Sequence, residues 1–241
     1  LIKLNIIGRR KPGTTLEEHR KHIRMLHGEE VLRYIETDPK NAPLRYVQNV
    51  VLDGRYRASR VADDPLALNR DFVTQVWVED FAALEHSRNT EFYNTRLRDD
   101  EDAFVDQANV VFLPCHERIL NPGSQVSQGR YKVLVLYRRT KESTSEDFER
   151  HCVDAAKRIN RATLRHVQNT VLPIPGQTQL LVDTIDEFWT YDKATARSVL
   201  REWCNEVETH FIADGLVIEG SLLALLALED VVYAGNLPKG T

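Results

Sequence analysis

The sequence predicts an α+β protein made of two tandem ferredoxin-like units, each β-α-β-β-α-β, whose antiparallel sheets pack face to face as a barrel-like pair within one chain. Three observations predict it. The stretch Leu44 to Leu52, LRYVQNVVL, returns as Leu164 to Leu172, LRHVQNTVL, with seven of nine positions identical. Upstream, Lys3 to His22 lies over Lys132 to His151, so that Arg9, Arg10, Thr15 and His22 match Arg138, Arg139, Thr144 and His151. Downstream, QVWVED (Gln75 to Asp80) lies over EFWTYD (Glu187 to Asp192), with Trp77 on Trp189. A repeat of half the chain is far too long for a solenoid. The offset between the copies shrinks from 129 to 120 along the chain, so the second copy is nine residues shorter between its first helix and next strand.

The elements follow from local pattern. Leu1 to Gly8 alternates as a strand, with Ile2, Leu4 and Ile6 on one face. RRKPG is a turn, and Thr14 or Thr15 caps a helix that carries Glu17 and Glu18 in its first turn and runs to about Tyr34. After the loop Glu36 to Pro43, Leu44 to Leu52 is the second strand. It sends Tyr46, Gln48, Val50 and Leu52 one way and Arg45, Val47, Asn49 and Val51 the other. Asn and Gln in mid-strand require one face to meet a solvated or ligand-holding space. Asp53 to Arg70 is polar and turn-rich. Asp71 to Glu79 is a strand, Phe81 to Arg98 an interrupted helix and Asn109 to Arg118 a strand. The first repeat thus spans residues 1–120, a linker 121–129 and the second repeat 130–241. In the second, Tyr131 to Tyr137, Ser145 to Arg161, Leu164 to Leu172, Leu180 to Tyr191, Ala194 to His210 and Leu222 to Leu228 repeat the order. The duplication supplies its own partner, so the expected state is a monomer with an internal pseudo-dimer, to which a further homodimer is optional.

The 42% hydrophobic and 28% charged residues are ordinary for a globular protein. A net charge of -4 argues against nucleic acid as a partner. No apolar run is long enough to span a membrane. Three scattered cysteines without a CxxC favour reduced thiols and a cytoplasmic setting.

RRKPG-T-x-EE, then H-x4-HG, YVQN and a Trp-bearing strand together resemble the EthD domain of the dimeric α+β barrel superfamily, as two tandem copies. The resemblance implies the same fold, with a pocket between sheet and helices. It also implies cofactor-free isomerase, cyclase, dehydratase, decarboxylase or oxygenase chemistry on small, often aromatic or polyketide-derived molecules. Tandem copies look like those of fungal secondary-metabolite pathways.

Helix one carries His19, His22 and His27. At about 100° per residue, His19, Ile23 and Leu26 centre its buried face, with His27 about 60° to one side and His22 about 80° to the other. The second copy has Phe148 at the place of His19 and Ala156 at that of His27. Any one of these histidines reads equally as a satisfied packing residue. His27 is the first candidate for acid–base work, since imidazole titrates near neutral pH. It also matches the family's His before Gly, with Gly28 leaving room beside it. On a regular helix His22 and His27 stand about 140° apart, too far to chelate one ion, and no metal is expected.

The catalytic set expected is therefore His27, Tyr46 and His22. The substrate-binding set is His19, Gln48, Asn49 and Trp77, with Trp77 as pocket wall. Arg96 to Phe104 reads as a solvated helix end, and Glu36 to Pro43 and Asp53 to Arg70 as borders of the pocket. The function expected is a cofactor-free lyase or cyclase working through enolisation, with dehydration, decarboxylation or ring closure, on a small aromatic or polyketide-derived substrate. The alternatives are a cofactor-free oxygenase of an activated phenol or anthrone, and a non-catalytic carrier.

Overall fold

A computed structural model of the chain describes residues 1–57, 64–123, 131–159, 163–174, 176–177, 179–235 and 237. Most of the predicted linker, the middle of the loop after the second strand and the end of the Ser145 helix lie outside the described residues. The fold is mixed α+β with eight strands: β1 (Ile2–Gly8), β2 (Arg45–Arg55), β3 (Phe72–Val78), β4 (Val111–Asn121), β5 (Tyr131–Tyr137), β6 (Arg165–Val171), β7 (Thr184–Thr190) and β8 (Leu223–Tyr233). The α-helices are α1 (Leu16–Lys21), α2 (Gly28–Thr37), α3 (Phe81–Arg88), α4 (Arg98–Phe104), α5 (Ser145–Ile159) and α6 (Lys193–Glu206). Single π turns join α1 to α2 at His22–His27, lead into α4 at Tyr93–Leu97 and extend α6 at Val207–Phe211.

Caps set the helix starts. Thr15, not Thr14, caps α1: its hydroxyl accepts from Glu18 N at 3.2 Å, and Glu18 Oε2 accepts from Thr15 N at 2.7 Å, a reciprocal capping box. Thr144 serves α5 the same way, accepting from Asp147 N at 3.1 Å. Asp80 and Asp192 cap α3 and α6 through Ala83 N and Thr195 N, each at 2.8 Å.

The described residues cluster into two units: Leu1–Val50 with Arg70–Pro114 and Asp230–Thr241, and Val51–Asn69 with Cys115–Glu229. The division therefore does not fall at one linker near Asn121. The three strands of eleven residues, β2, β4 and β8, each run through it. β8 continues five residues past the predicted end at Leu228, and β4 ends at Asn121, inside the predicted linker.

In the first unit β3 is central, antiparallel to β1 on one side and β2 on the other. In the second, β5 pairs β8 and β7, β7 pairs β6, and β6 pairs β4, all antiparallel. The repeat survives in the register. Arg45 faces Trp77 and Val47 faces Gln75, while Arg165 faces Trp189 and Val167 faces Glu187. One cation–π arrangement recurs with it: Lys3 and Arg45 over Trp77, and Lys132 and Arg165 over Trp189.

The main apolar core of the second unit is continuous, running from Val133, Val135 and Tyr137 through Phe148, Phe188 and Trp203 to Leu226. In the first unit one smaller cluster lies around Tyr34, Tyr46 and Tyr93 and another around Ile23, Phe72 and Phe104. Lining residues from both clusters meet in the space described next.

Candidate functional site

The helix that carries the three histidines is not a continuous α-helix. Gly28 N donates to Ile23 O, an i→i+5 bond, so the His22–His27 turn holds one residue more than an α turn. That residue rotates everything after it. His27 takes the direction that α geometry assigns to Leu26; His27 is 7% exposed and Leu26 55%. The expectation that Leu26 is buried is thereby corrected. So is the separation of His22 from His27: residues five apart now stand one above the other. The equivalent helix α5 is regular, so the matching residue in the second copy is Ala155 rather than Ala156, both of them buried.

Stacking brings the two imidazoles to one carboxylate. His22 Nε2 lies 2.6 Å from Asp100 Oδ1, and His27 Nδ1 lies 2.8 Å from Asp100 Oδ2. Burial opposes ionisation of Asp100, but the hydrogen bonds and charge of His27 and His22 outweigh it and hold its carboxyl below the usual range. An acceptor-only carboxylate on Nδ1 places the proton of neutral His27 there, which leaves the Nε2 lone pair for a ligand. Phe104, one turn beyond Asp100, packs on His22 and His27 with centroids at 4.6 and 5.1 Å. Arg96 to Phe104 is thus part of the site and not a solvated helix end.

His27 lines two lobes of a cavity, of about 70 Å³ and about 40 Å³. The lobes share Ile6, Thr74, Arg88 and Glu101 as well. Tyr46, Tyr93 and Leu97 close the larger, and Phe72, Phe104 and Phe112 the smaller. Pro43, at the end of the first predicted loop, reaches the larger lobe, whereas the described part of Asp53 to Arg70 reaches neither. Arg57, from that segment, donates instead to the carbonyls of Ser221 and Leu181.

Strand alternation sorts the remaining candidates. Tyr46 and Gln48 share the helix-facing side of β2. Burial, partly offset by hydrogen bonds from Gln48 and Thr74, pushes the Tyr46 hydroxyl far above its normal range, so it stays protonated and can act only as a donor or acceptor. Gln48 is not free to hold a substrate: its Nε2 donates to Ile23 O at 2.7 Å and to Tyr46 Oη at 3.0 Å. It ties the π turn to the sheet. Asn49 and Trp77 point to the opposite side and line neither lobe; Asn49 Nδ2 donates to Val73 O at 2.9 Å and Gln75 Oε1 at 3.2 Å. The cavity wall expected of Trp77 is supplied by Phe72 and Phe104. His19 is 1% exposed, sits 3.2 Å from Phe104 O through Nδ1 and stacks on Phe72. Burial, against that hydrogen bond, lowers its pKa.

Sequence reasoning missed Asp100, Glu101, Arg88, Tyr93 and Thr74. Asp99 to Asp102 read as a charge run, and only contacts across 73 to 78 positions separate the member that meets two histidines from its solvated neighbours. Among the described residues, no group of three or more His, Cys, Asp or Glu side chains is arranged to hold a metal ion, and no helix is long and apolar enough to cross a membrane.

At the corresponding place in the second copy the equivalent side chains pack on one another. His166, Asp186, Tyr137 and Phe188 are fully buried: His166 Nε2 lies 2.8 Å from Asp186 Oδ1, and Tyr137 Oη donates to Asp186 Oδ2 at 2.5 Å. The Trp203 indole fills the space against His166 and Phe188.

Comparison with known proteins agrees with this architecture. The chain is similar to the solved structure of an anthrone oxidase-like protein, at 11% identity and TM-score 0.62, with 98% of this chain and 96% of the other covered. It is similar to a provisionally named monooxygenase of Fusobacterium nucleatum subsp. nucleatum ATCC 25586, at 8% identity and TM-score 0.55, with 98% and 94% covered. It is also similar to a provisionally named chlorite dismutase, at 10% identity and TM-score 0.57, with 96% of each chain covered. At these identities the likeness is one of fold. No curated protein matches the chain. The model of the EthD domain matches residues 11–108, the stretch that holds the histidine helix, Tyr46 and Asp100. From the turn before α1 to just past the Asp100 helix, the chain is similar to an EthD domain.

Proposed function

We propose that the first half of the chain is the working half of an acid–base enzyme that calls on no cofactor, a lyase or cyclase that enolises a small aromatic or polyketide-derived substrate. The observation that carries the reading is the Asp100 carboxylate held between His22 and His27, with His27 facing both lobes of the cavity. Asp100 orients His27; His27 Nε2 takes the proton from a carbon next to a carbonyl. The protonated Tyr46 hydroxyl donates to the oxygen that gains charge. Loss of water or ring closure follows from the enolate; where CO2 is lost from a β-keto acid, breaking the C–C bond itself gives the enolate, and the His27 imidazolium returns a proton to carbon. The second copy, with a filled core where the cavity would be, serves as scaffold in a tandem ferredoxin-like pair.

Cavity size narrows the substrate. A dry cavity of about 150 Å³ accommodates benzene; the two lobes, about 70 and 40 Å³, are smaller. The lobes as they stand are closer in size to a single ring than to the three rings of an anthrone. A second reading, in which the same deprotonated substrate reacts with O2, is favoured by the anthrone oxidase-like and monooxygenase neighbours.

The test is solvent deuterium incorporation next to the carbonyl of a panel of single-ring aryl ketones and β-keto acids, with O2 uptake followed in parallel. Exchange that is lost in His27→Gln supports the lyase reading, and O2 uptake without net lysis supports the second. Equal exchange in wild type and His27→Gln overturns both.

A further inference from the structure

Two charged side chains line both lobes, and the mechanism above uses neither. The Arg88 guanidinium sits over the rings of Tyr93 and Phe112, each centroid at 5.2 Å. Both rings lie beside its guanidinium carbon, and among the described residues no carboxylate lies within ion-pairing distance of it. A guanidinium placed against rings and not against a carboxylate keeps N–H donors for a planar, two-oxygen acceptor. Glu101 Oε2 accepts from the Tyr93 hydroxyl at 2.9 Å, and among the described residues no cation pairs with the carboxylate. Tyr93 therefore stands between the two, with its ring under Arg88 and its hydroxyl on Glu101. Burial, reinforced by the Glu101 charge, raises the Tyr93 pKa, so Tyr93 remains the donor in that bond.

Arg88 and Glu101 are both half-buried, while the apolar walls, Phe72 and Phe104, are buried. A ring between the walls would present its substituents to this pair. A carboxylate alone would meet Arg88 but be repelled by Glu101. A hydroxyl alone would satisfy Glu101 but leave Arg88 without an acceptor. A ligand that carries both satisfies both. Asp100, the other nearby acid, already holds His22 and His27.

We infer that Arg88 and Glu101 form a polar subsite that selects aromatic hydroxycarboxylates, the carboxylate on Arg88 and the hydroxyl donating to Glu101. This rests on the cavity assigned above but not on turnover, so binding and catalysis can fail separately. The probes are the three hydroxybenzoate isomers, benzoate and phenol, titrated calorimetrically against the full chain. One hydroxybenzoate isomer is expected to bind roughly tenfold or more tightly than benzoate and phenol. Arg88→Gln should bring that isomer down to the level of phenol, and Arg88→Lys, which keeps the charge but not the fork, should fall between. Glu101→Gln should remove its advantage over benzoate. Circular dichroism confirms that each variant is folded. Phenol binding as tightly as every hydroxybenzoate, or identical affinities in wild type, Arg88→Gln and Arg88→Lys, overturns the subsite. Hydroxybenzoate binding without any deuterium exchange overturns the enzyme reading and leaves the subsite standing.

Discussion

His27 Nδ1 lies 2.8 Å from Oδ2 of Asp100, a residue 73 positions further along the chain. The bond orients an imidazole in the cavity wall and assigns its two nitrogens different work. Asp100→Asn keeps the shape and removes the negative charge beside His27 Nδ1. Turnover on whatever substrate the exchange panel identifies should fall by about 10²-fold, within the range of a general-base contribution. His22→Gln should cost much less, since His22 supports Asp100 without lining either lobe. A loss from His22→Gln as large as that from Asp100→Asn would show that His22 takes a direct part in turnover.

The π turn yields a sharper test. Deleting Leu26, which is 55% exposed, removes the extra residue and converts His22 and His27 to the i, i+4 spacing of a regular helix. Both imidazoles keep their direction towards Asp100. The variant should fold, with a thermal midpoint equal to or above wild type, and retain activity within about tenfold. An unfolded protein, or a folded one with no activity, would mean that the widened turn itself is required.

His19 makes stability depend on pH. Burial lowers its pKa in the folded chain, so between the folded value and the unfolded value of about 6.5 the unfolded state binds more protons. Stability present above pH ~6.5 is therefore lost as the pH falls. Asp100, also depressed, adds a second loss in the same direction, but only below about pH 4. His19→Phe installs the residue found at the matching position, Phe148, and gives up a hydrogen bond to Phe104 O worth about 1 kcal/mol. Its thermal midpoint should drop less than that of wild type between pH 7 and pH 5. Parallel curves would contradict the assignment.

In the second copy, Asp186 serves stability. Removing it as Asp186→Ala leaves the fully buried His166 ring and Tyr137 hydroxyl without their partner, at a cost of about 3 kcal/mol or more by urea denaturation. Turnover per folded molecule should be unchanged. Loss of turnover at full folding would place chemistry in this half as well.

The sequence by itself determined what depends on local pattern and repetition. The LRYVQNVVL and LRHVQNTVL copies announced the duplication. Alternation placed Tyr46 and Gln48 together and opposite Asn49, and Thr14 or Thr15 ahead of Glu17 and Glu18 marked the start of the histidine helix. A histidine on the first helix, absent from the second copy, marked His27 for inspection. Tertiary structure decided the rest. Hydrogen bonding from i to i+5 instead of i to i+4 leaves no signature in apolar spacing, yet it put His27 in the cavity wall and Leu26 in solvent. Choosing Asp100 from a run of four acids required α4 to pack beside the histidine turn, a contact between residues 73 and 78 positions apart. Arg88, Tyr93 and Glu101 became a group in the same way. A side chain's direction is legible from its neighbours in sequence, but its partner is chosen by the packing of distant elements, whose free energy is spread over the whole core.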